Sequence, residues 1–476
     1  MSTSKNYWAT DKNIIMKNAI KYFLCLFILI EVGLMNSSCN KAVNIDPIGQ
    51  QTKDSVIETQ SDLVSLMNFA YVSLADDNYY GGSYQNYSEL LADHIDGSNL
   101  TSDMQNIYLR QSNTFNSSLG GFYAQLYKPV LQANQVLENI NLATDAITKS
   151  SLVGQAKFIR ALCFFDLVRL YAQPYNSSTS STDLGIPLKF SSTPHPTPRS
   201  TVVQVYQQII TDLKSADSSL PASNGVYATK YSAEAILAKV YFQMNDFTNA
   251  YTYANNVISS GVFGWDNNFL QRYSRNGSSE TVFGLIYETN YPTSRFQALH
   301  NNYNTGISPA PTFRLTSAYY AAATGNPTDK RKIWYKQKSG YNLLGKFDTT
   351  SFKLPVVHIT ELKLIRAESA AELNTNLSVG ITDMNDIITR AYGAGSSLLL
   401  VATSNNITVK AAARRERELE LVGEGNRLHE LKREGAKGEA VTIRNSPYNC
   451  PGLIFPFPTN DVSFNGYLQN PTGGCN

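Results

Sequence analysis

The residues best equipped for chemistry are concentrated in one run, RRERELELVGEGNRLHELKREG, from Arg414 to Gly435. Guanidinium and carboxylate groups at this density are the raw material of an active site, because perturbed ionisable clusters gather where catalysis happens. The same spacing has a structural reading. Arg414 and Glu418 stand four apart, and Arg415/Glu418 and Arg417/Glu420 three apart, so opposite charges meet on one helix surface. Leu419, Leu421 and Val422 supply a narrow apolar strip, Gly423 and Gly425 permit a left-handed break, and Asn426 is placed to cap a second helix carrying Leu428 and Leu431. A salt-bridged helix–break–helix is favoured over a catalytic cluster.

Other catalytic constellations are weaker. The five histidines (His94, His195, His300, His358, His429) are scattered, and no H-E-x-x-H, C-x-x-C or G-x-S-x-G occurs. Asp93 and Asp96 could serve a glycosidase only at a separation that sequence does not reveal, and their plainer role is to cap turns. Neither a metal nor a cofactor is expected. Tyrosine is abundant, at 29 residues against 3 tryptophans, and a tyrosine ring offers a stacking face beside a hydrogen-bonding hydroxyl. Tyr80, Tyr84, Asn86 and Tyr87 fall in a stretch read as a loop loosened by Gly81 and Gly82. Tyr291, Tyr303, Trp334 and Tyr341 fall further on, with Arg295 and Arg331 as polar partners. These are the candidate ligand contacts of a shallow, non-covalent site; the alternative for each is packing on the scaffold. Trp265 is expected in the core.

The elements that must position them are mostly helical. Helical periodicity runs over 58–75, 119–142, 151–171 and 201–220, the last closed by Pro221. Within 231–261, Leu237, Ala238, Tyr241, Ala250, Ala254 and Val257 take the small and aromatic spacings of a tetratricopeptide pair, with Asn245-Asp246 as its turn. Residues 360–373 with 381–391 read as another pair. Between them, 263–353 shows no sustained helical period and is too long for an ordinary loop, so it is read as an irregular lobe laid across a helical scaffold.

At the N-terminus Lys17 and Lys21 precede an apolar run from Tyr22 to Ile30 and then Ser37-Ser38-Cys39, the layout of a secretory signal with Met16 as the expected start. The run is too short to span a bilayer. Small residues ending on a cysteine look like a bacterial lipobox, implying cleavage before Cys39 and acylation of its thiol. Loss of residues 1–38 removes Lys5, Lys12, Lys17, Lys21, Asp11 and Glu31, and takes the formal charge from +2 to near zero. No basic stripe with interleaved aromatics is present, which argues against nucleic acid as a partner. Cys163 lies in a helical pattern and reads as a buried thiol. Cys450 and Cys475 share the C-terminal loop region, where a disulfide and two free thiols are both open.

Segments in order resemble the SusD/RagB family of lipoproteins. These are NIDP after Cys39, AKFIRALCFFDLVRLYAQPY with GIPL, and PRSTVVQVYQQIITDLKSADSSLP. The 229–261 helix pair, SETVFGLIYE, RAESAAEL, NDIITRA, the Arg414–Gly435 run and LIFPFPTNDVSFNGYLQNP follow. Glu430 stands where the family usually has Asp. The resemblance implies a mostly α-helical fold, with a tetratricopeptide-like repeat scaffold and an irregular loop-rich lobe. The implied spans are a signal peptide (1–38), a lipid anchor and tether (39–55), a helical N-terminal part (56–262), a ligand-binding lobe (263–353) and a C-terminal helical segment with a Pro/Asn/Gly-rich tail (354–476). It further implies a lipid-anchored, surface-exposed protein of the outer membrane of a Bacteroidetes-type bacterium. Such a protein delivers an oligosaccharide to a SusC-like TonB-dependent transporter. The alternatives are a peptide ligand in the same role, or a lipid-anchored scaffold that binds no nutrient; an enzyme is not expected.

Overall fold

Thr59 opens the first helix with a reciprocal cap. Its hydroxyl accepts from the Asp62 amide at 3.2 Å, and the Asp62 carboxylate accepts from the Thr59 amide at 2.9 Å. The computed structural model describes residues 57–286, 297–349 and 352–475. The signal segment, the tether, Cys39, Tyr291 and Arg295 lie outside the described residues.

The helices are α1 (Gln60–Leu74), α2 (Ser83–Leu91), α3 (Ser102–Tyr108), α4 (Ser117–Glu138), α5 (Ala146–Tyr171), α6 (Val202–Ser219), α7 (Lys230–Gln243) and α8 (Phe247–Ser259). After them come α9 (Gln297–Tyr303), α10 (Ser317–Thr324), α11 (Ile359–Leu373), α12 (Leu377–Tyr392), α13 (Asn406–Glu420), α14 (Arg427–Ala436) and α15 (Thr459–Asn465). The long helices pack in sequence order, α1 on α4, α4 on α5, α5 on α6, α6 on α7, α7 on α8, then α8 on α11 and α11 on α12 and α13. This is a tetratricopeptide-like array. In its central pair, Asn245 takes a left-handed φ of 58° and Asp246 caps α8 by accepting from the Asn249 amide at 3.1 Å. Ala238, Ala250 and Ala254 are fully buried and let the backbones approach. Helix α11 is buried on nearly every side, so its sequence carries almost no amphipathic stripe.

Residues 263–353 are more ordered than their sequence suggests. The strand Thr281–Leu285 pairs antiparallel with Leu354–His358, which runs directly into α11. A four-stranded antiparallel sheet has the order Ile95–Asp96, Arg314–Leu315, Tyr341–Leu344, Tyr335–Lys338, so it joins the lobe to the segment after α2. Strands of two to five residues and helices of seven or eight are too short to establish a sustained period, which is why they left no pattern.

The stretch read as a loop around Tyr79–Tyr87 is corrected. Only its first part turns; Ser83–Leu91 is helix α2, and all nine of its residues are buried. A helix surrounded on all sides needs no polar face, and here tyrosine hydroxyls and amides find protein partners instead. Cys450 and Cys475 are joined in a disulfide with Cα atoms 5.4 Å apart. Cys163 is a free thiol inside α5, its pKa pushed up by burial. No helix among the described residues is long and apolar enough to cross a membrane.

Candidate functional site

The Arg414–Gly435 run forms the predicted helix, break and helix, α13 and α14. Gly423 and Gly425 both sit at φ of 78°. A Cβ at Gly423 would also lie 2.9 Å from Leu344 and Phe347, so this break needs glycine for conformation and for room. The charges of α13, however, do not pair along the helix surface as the spacing suggests, although Glu430 and Arg433 of α14 do, at 2.6 Å. The buried face of α13 is Val409, Ala412, Ala413, Glu416, Arg417 and Glu420, while Leu419 stays half-exposed. Glu420 takes Arg272 and Arg390, each at 3.1 Å, and Arg331 at 3.2 Å. Glu416 takes Arg331 at 2.8 Å, and Glu424 takes Lys346 at 2.6 Å. A second knot surrounds Glu368 of α11, which holds Arg433 at 2.7 Å, Arg414 at 2.9 Å and Arg417 at 3.1 Å. Asn426 stands at the N-terminus of α14 without a side-chain capping bond, since the turn is already fixed by the glycines.

These knots tie lobe, repeats and C-terminal helices together, and they account for Arg331, which is an internal ion-pair partner rather than a ligand contact. Glu368, Glu430 and Glu434 bring carboxylate oxygens within 4.8 Å of one another, but Arg414, Arg417 and Arg433 stand among them as counter-charges. Such a set is neutralised from within.

Most of the candidate aromatics are also engaged by protein. The hydroxyls of Tyr79 and Tyr80 donate to Asp166 at 2.7 and 2.6 Å; Asp166 pairs with Arg169, whose guanidinium donates to the Tyr84 hydroxyl, and Tyr84 in turn meets His429 Nε2 at 3.2 Å. Asn86 donates to the Ala298 carbonyl, and Tyr87 packs edge-on against Phe122 and Phe455. Tyr303 lies against Phe313 and Phe347, and Trp334 against Phe269 with the Lys346 ammonium 4.7 Å over its ring. All of these side chains are buried. Trp265 is half-buried beside the α12–α13 core, with Arg390 over its ring. Asp96 does cap a turn, accepting from the Ser98 amide, whereas Asp93 is held by Arg427 at 2.9 and 3.0 Å.

Beside the tyrosine knot lies a buried group with no such compensation. The Lys432 ammonium reaches the Arg169 and Leu453 carbonyls at 3.2 and 3.5 Å, and burial followed by the nearby Arg169 charge brings its pKa down to about 7. Lys432→Met should therefore stabilise the protein by about 1–3 kcal/mol at pH 7. The unfolded lysine binds its proton up to about pH 10, so stability of the natural chain rises between pH 7 and 10 and the advantage of the variant shrinks there. Urea unfolding of both proteins at pH 7 and 10 checks this, and a destabilised variant with a gap constant in pH would refute it.

Tyr341 differs from the other candidates because it stays half-exposed on the four-stranded sheet. Asp96 is the cross-strand partner of Arg314, and Tyr341 of Lys338, while Leu315 pairs with Asn342. Partners share a face, so this register lines Asp96, Arg314, Tyr341 and Lys338 along one side of the sheet. The Arg314 guanidinium lies 3.7 Å over the Tyr341 ring, and Lys338 Nζ donates to the carbonyls of Thr305, Gly306 and Ile307 at 3.0, 3.1 and 2.7 Å. One ring flanked by charged groups of both signs suits a ligand with apolar patches and many hydroxyls. Sequence reasoning names Tyr341 of this row but not Arg314 or Lys338, nor Phe115, which is 93 % exposed. An Asx turn presents Phe115, whose amide donates to Asn113 Oδ1 at 2.9 Å; a lone aromatic inside QSNTFNSS was the available signal.

A tetratricopeptide-like helical array carrying an inserted lobe, with a small polar-aromatic sheet between them, defines a helical-repeat protein. A family model described as "Starch-binding associating with outer membrane" matches residues 46–242, and one described as "SusD family" matches residues 233–449. The chain belongs to the SusD/RagB family. SusD-like protein P2 of Formosa agariphila is 26% identical over 95% of this chain and 97% of its own length. Among solved structures, a SusD superfamily protein from Bacteroides vulgatus aligns with a TM-score of 0.75 at 22% identity, covering 87% of this chain and 99% of that one. A SusD-like carbohydrate binding protein from the same species aligns with a TM-score of 0.66 at 18% identity, covering 79% and 84%. These likenesses establish the fold.

Proposed function

We propose that this chain is a binding protein of the outer membrane, anchored through lipid on Cys39, that captures an oligosaccharide and passes it to a SusC-like TonB-dependent barrel. Membership of a family whose model is described as starch-binding and outer-membrane-associated supports the reading. The observation that carries it is the row Asp96, Arg314, Tyr341 and Lys338, a half-open aromatic face between hydrogen-bonding groups. No covalent chemistry is needed: the ring covers the apolar face of a sugar while Asp96 and Arg314 meet its hydroxyls and Lys338 braces the edge of the sheet.

Calorimetry on the chain lacking residues 1–39, against neutral and acidic polysaccharides and a peptide panel, tests this reading. Tyr341→Ala should weaken binding of the recognised glycan roughly tenfold, the loss of one stacking face with its packing. Binding of peptides alone would move the ligand to the alternative class. Binding of nothing, together with failure to co-purify a barrel from detergent-solubilised membranes, would leave a scaffold.

A further inference from the structure

Nearly every arginine buried as deeply as the core holds a carboxylate within ion-pair distance; among the described residues Arg110 and Arg314 are the exceptions. Arg110 is 4 % exposed, and its Nε and one terminal nitrogen have no partner. Beside it stands Arg444, half-buried, which spends one terminal nitrogen on the Leu90 and Tyr108 carbonyls at 3.1 and 2.6 Å and leaves Nε unpartnered. The Arg444 guanidinium lies 4.0 Å over the Tyr108 ring. Asp93, the carboxylate whose charge reaches both, is already taken by Arg427. Burial, and then the charge of Arg444, hold the Arg110 guanidinium down at about 10. Two like charges placed together below the surface are costly unless something anionic joins them.

The backbone adds a second cost. Arg110 has φ of 60°; Arg444 and Asn445 have 46° and 68° and form the two-residue turn of a hairpin pairing Ile443 with Ser446. Such a turn favours Asn and Gly, so an arginine at its first position is held against local preference. The C-terminal loop fixes the other side: a Cβ on Gly452 would lie 2.4 Å from the Arg110 carbonyl and 2.9 Å from Cys475 Sγ. The pair also adjoins the sheet face described above. A Cβ on Gly97 would lie 2.2 Å from the Tyr108 ring, and Gly97 follows Asp96, the partner of Arg314.

We propose that Arg110 and Arg444 form a subsite for an anionic oxygen group of the ligand, the carboxylate or sulfate of an acidic polysaccharide, at the Asp96 end of the sheet face. A planar guanidinium pair can hold such a group through several charge-assisted hydrogen bonds. This rests on the carbohydrate reading, and the test separates the two.

Arg444→Asn removes the charge while suiting the left-handed turn, which offsets the lost bonds to the Leu90 and Tyr108 carbonyls, so the variant should still fold. Calorimetry with neutral galactan, polygalacturonate and sulfated galactan oligosaccharides should show at least one acidic ligand binding roughly tenfold more tightly than the neutral one. Arg444→Asn should erase that preference and leave neutral binding within about twofold. In parallel, inorganic sulfate at constant ionic strength should raise the melting temperature of the natural chain and not of the variant, with chloride as control. Preference for the neutral ligand, or acidic binding and a sulfate shift that survive in Arg444→Asn, would overturn the subsite. A sulfate shift lost in the variant, with no oligosaccharide bound, would keep the subsite and remove the carbohydrate reading.

Discussion

Glu420→Gln should cost about 3–5 kcal/mol of folding free energy, because it removes one partner from a buried set and leaves the others charged. Glu420 is fully buried and meets Arg272, Arg331 and Arg390 within 3.2 Å. The remaining acids offset only part of the loss: Glu280 serves Arg272 and Arg390, and Asp329 and Glu416 serve Arg331. Arg415→Gln lies in the same helix and the same charge pattern, but its side chain is 40 % exposed, so about 1 kcal/mol or less is expected. Urea unfolding of the two variants beside the natural chain separates the cases. Equal effects, or a Glu420→Gln loss below that of Arg415→Gln, would show that the network is a solvated decoration.

Acid should unfold the protein from the same two knots. Burial alone would push Glu420 and Glu368 up, but Arg390, Arg272 and Arg331 around the first, and Arg433, Arg417 and Arg414 around the second, outweigh it and hold each at about 2. In the unfolded chain both titrate near 4.5. The unfolded state therefore takes up these protons first. The stabilisation is fully present above pH 4.5 and is lost as pH falls through about 2, at about 3 kcal/mol for each group. Glu434 works in the opposite sense. Burial and the neighbouring Glu430 raise it to about 7, so the folded chain holds that proton longer and stability declines between pH 4.5 and 7. Unfolding followed from pH 7 to 2 at fixed ionic strength should thus pass a maximum near about pH 5 before falling steeply. Glu368→Gln should flatten the acid limb; an acid limb of unchanged depth in that variant would assign the loss to other groups.

The repeat helices were legible because their signals are local. Thr59, Asp145, Thr201 and Asp246 each cap the helix they precede, and the small-residue spacing of 231–261 describes a face. Helix α2 was misread because its sequence, SYQNYSELL, has loop composition, and only complete enclosure by tertiary partners makes it a helix. The charge pattern of α13 predicted neighbours three and four residues apart; the true partners of Glu420 lie 30 to 148 residues away, beyond the reach of periodicity. At the candidate site, tyrosine content suggested stacking faces without telling which rings face protein. Tyr84 and Tyr341 look alike in sequence, and only the Asp166–Arg169 pair inside α5 marks the first as structural.

Chain order gives these knots a further consequence. Arg272, Arg331 and Arg390 are all made before Glu416 and Glu420, and Glu368 before Arg414, Arg417 and Arg433. The Tyr84 chain waits for His429, and the loop over Arg110 waits for Cys475. Until α13 and α14 emerge, Arg272, Arg331 and Arg390 have only Glu280 and Asp329 of their carboxylate partners, and Glu368 lacks its three arginines. Such an arrangement ties closure of the interior to the arrival of the two C-terminal helices α13 and α14.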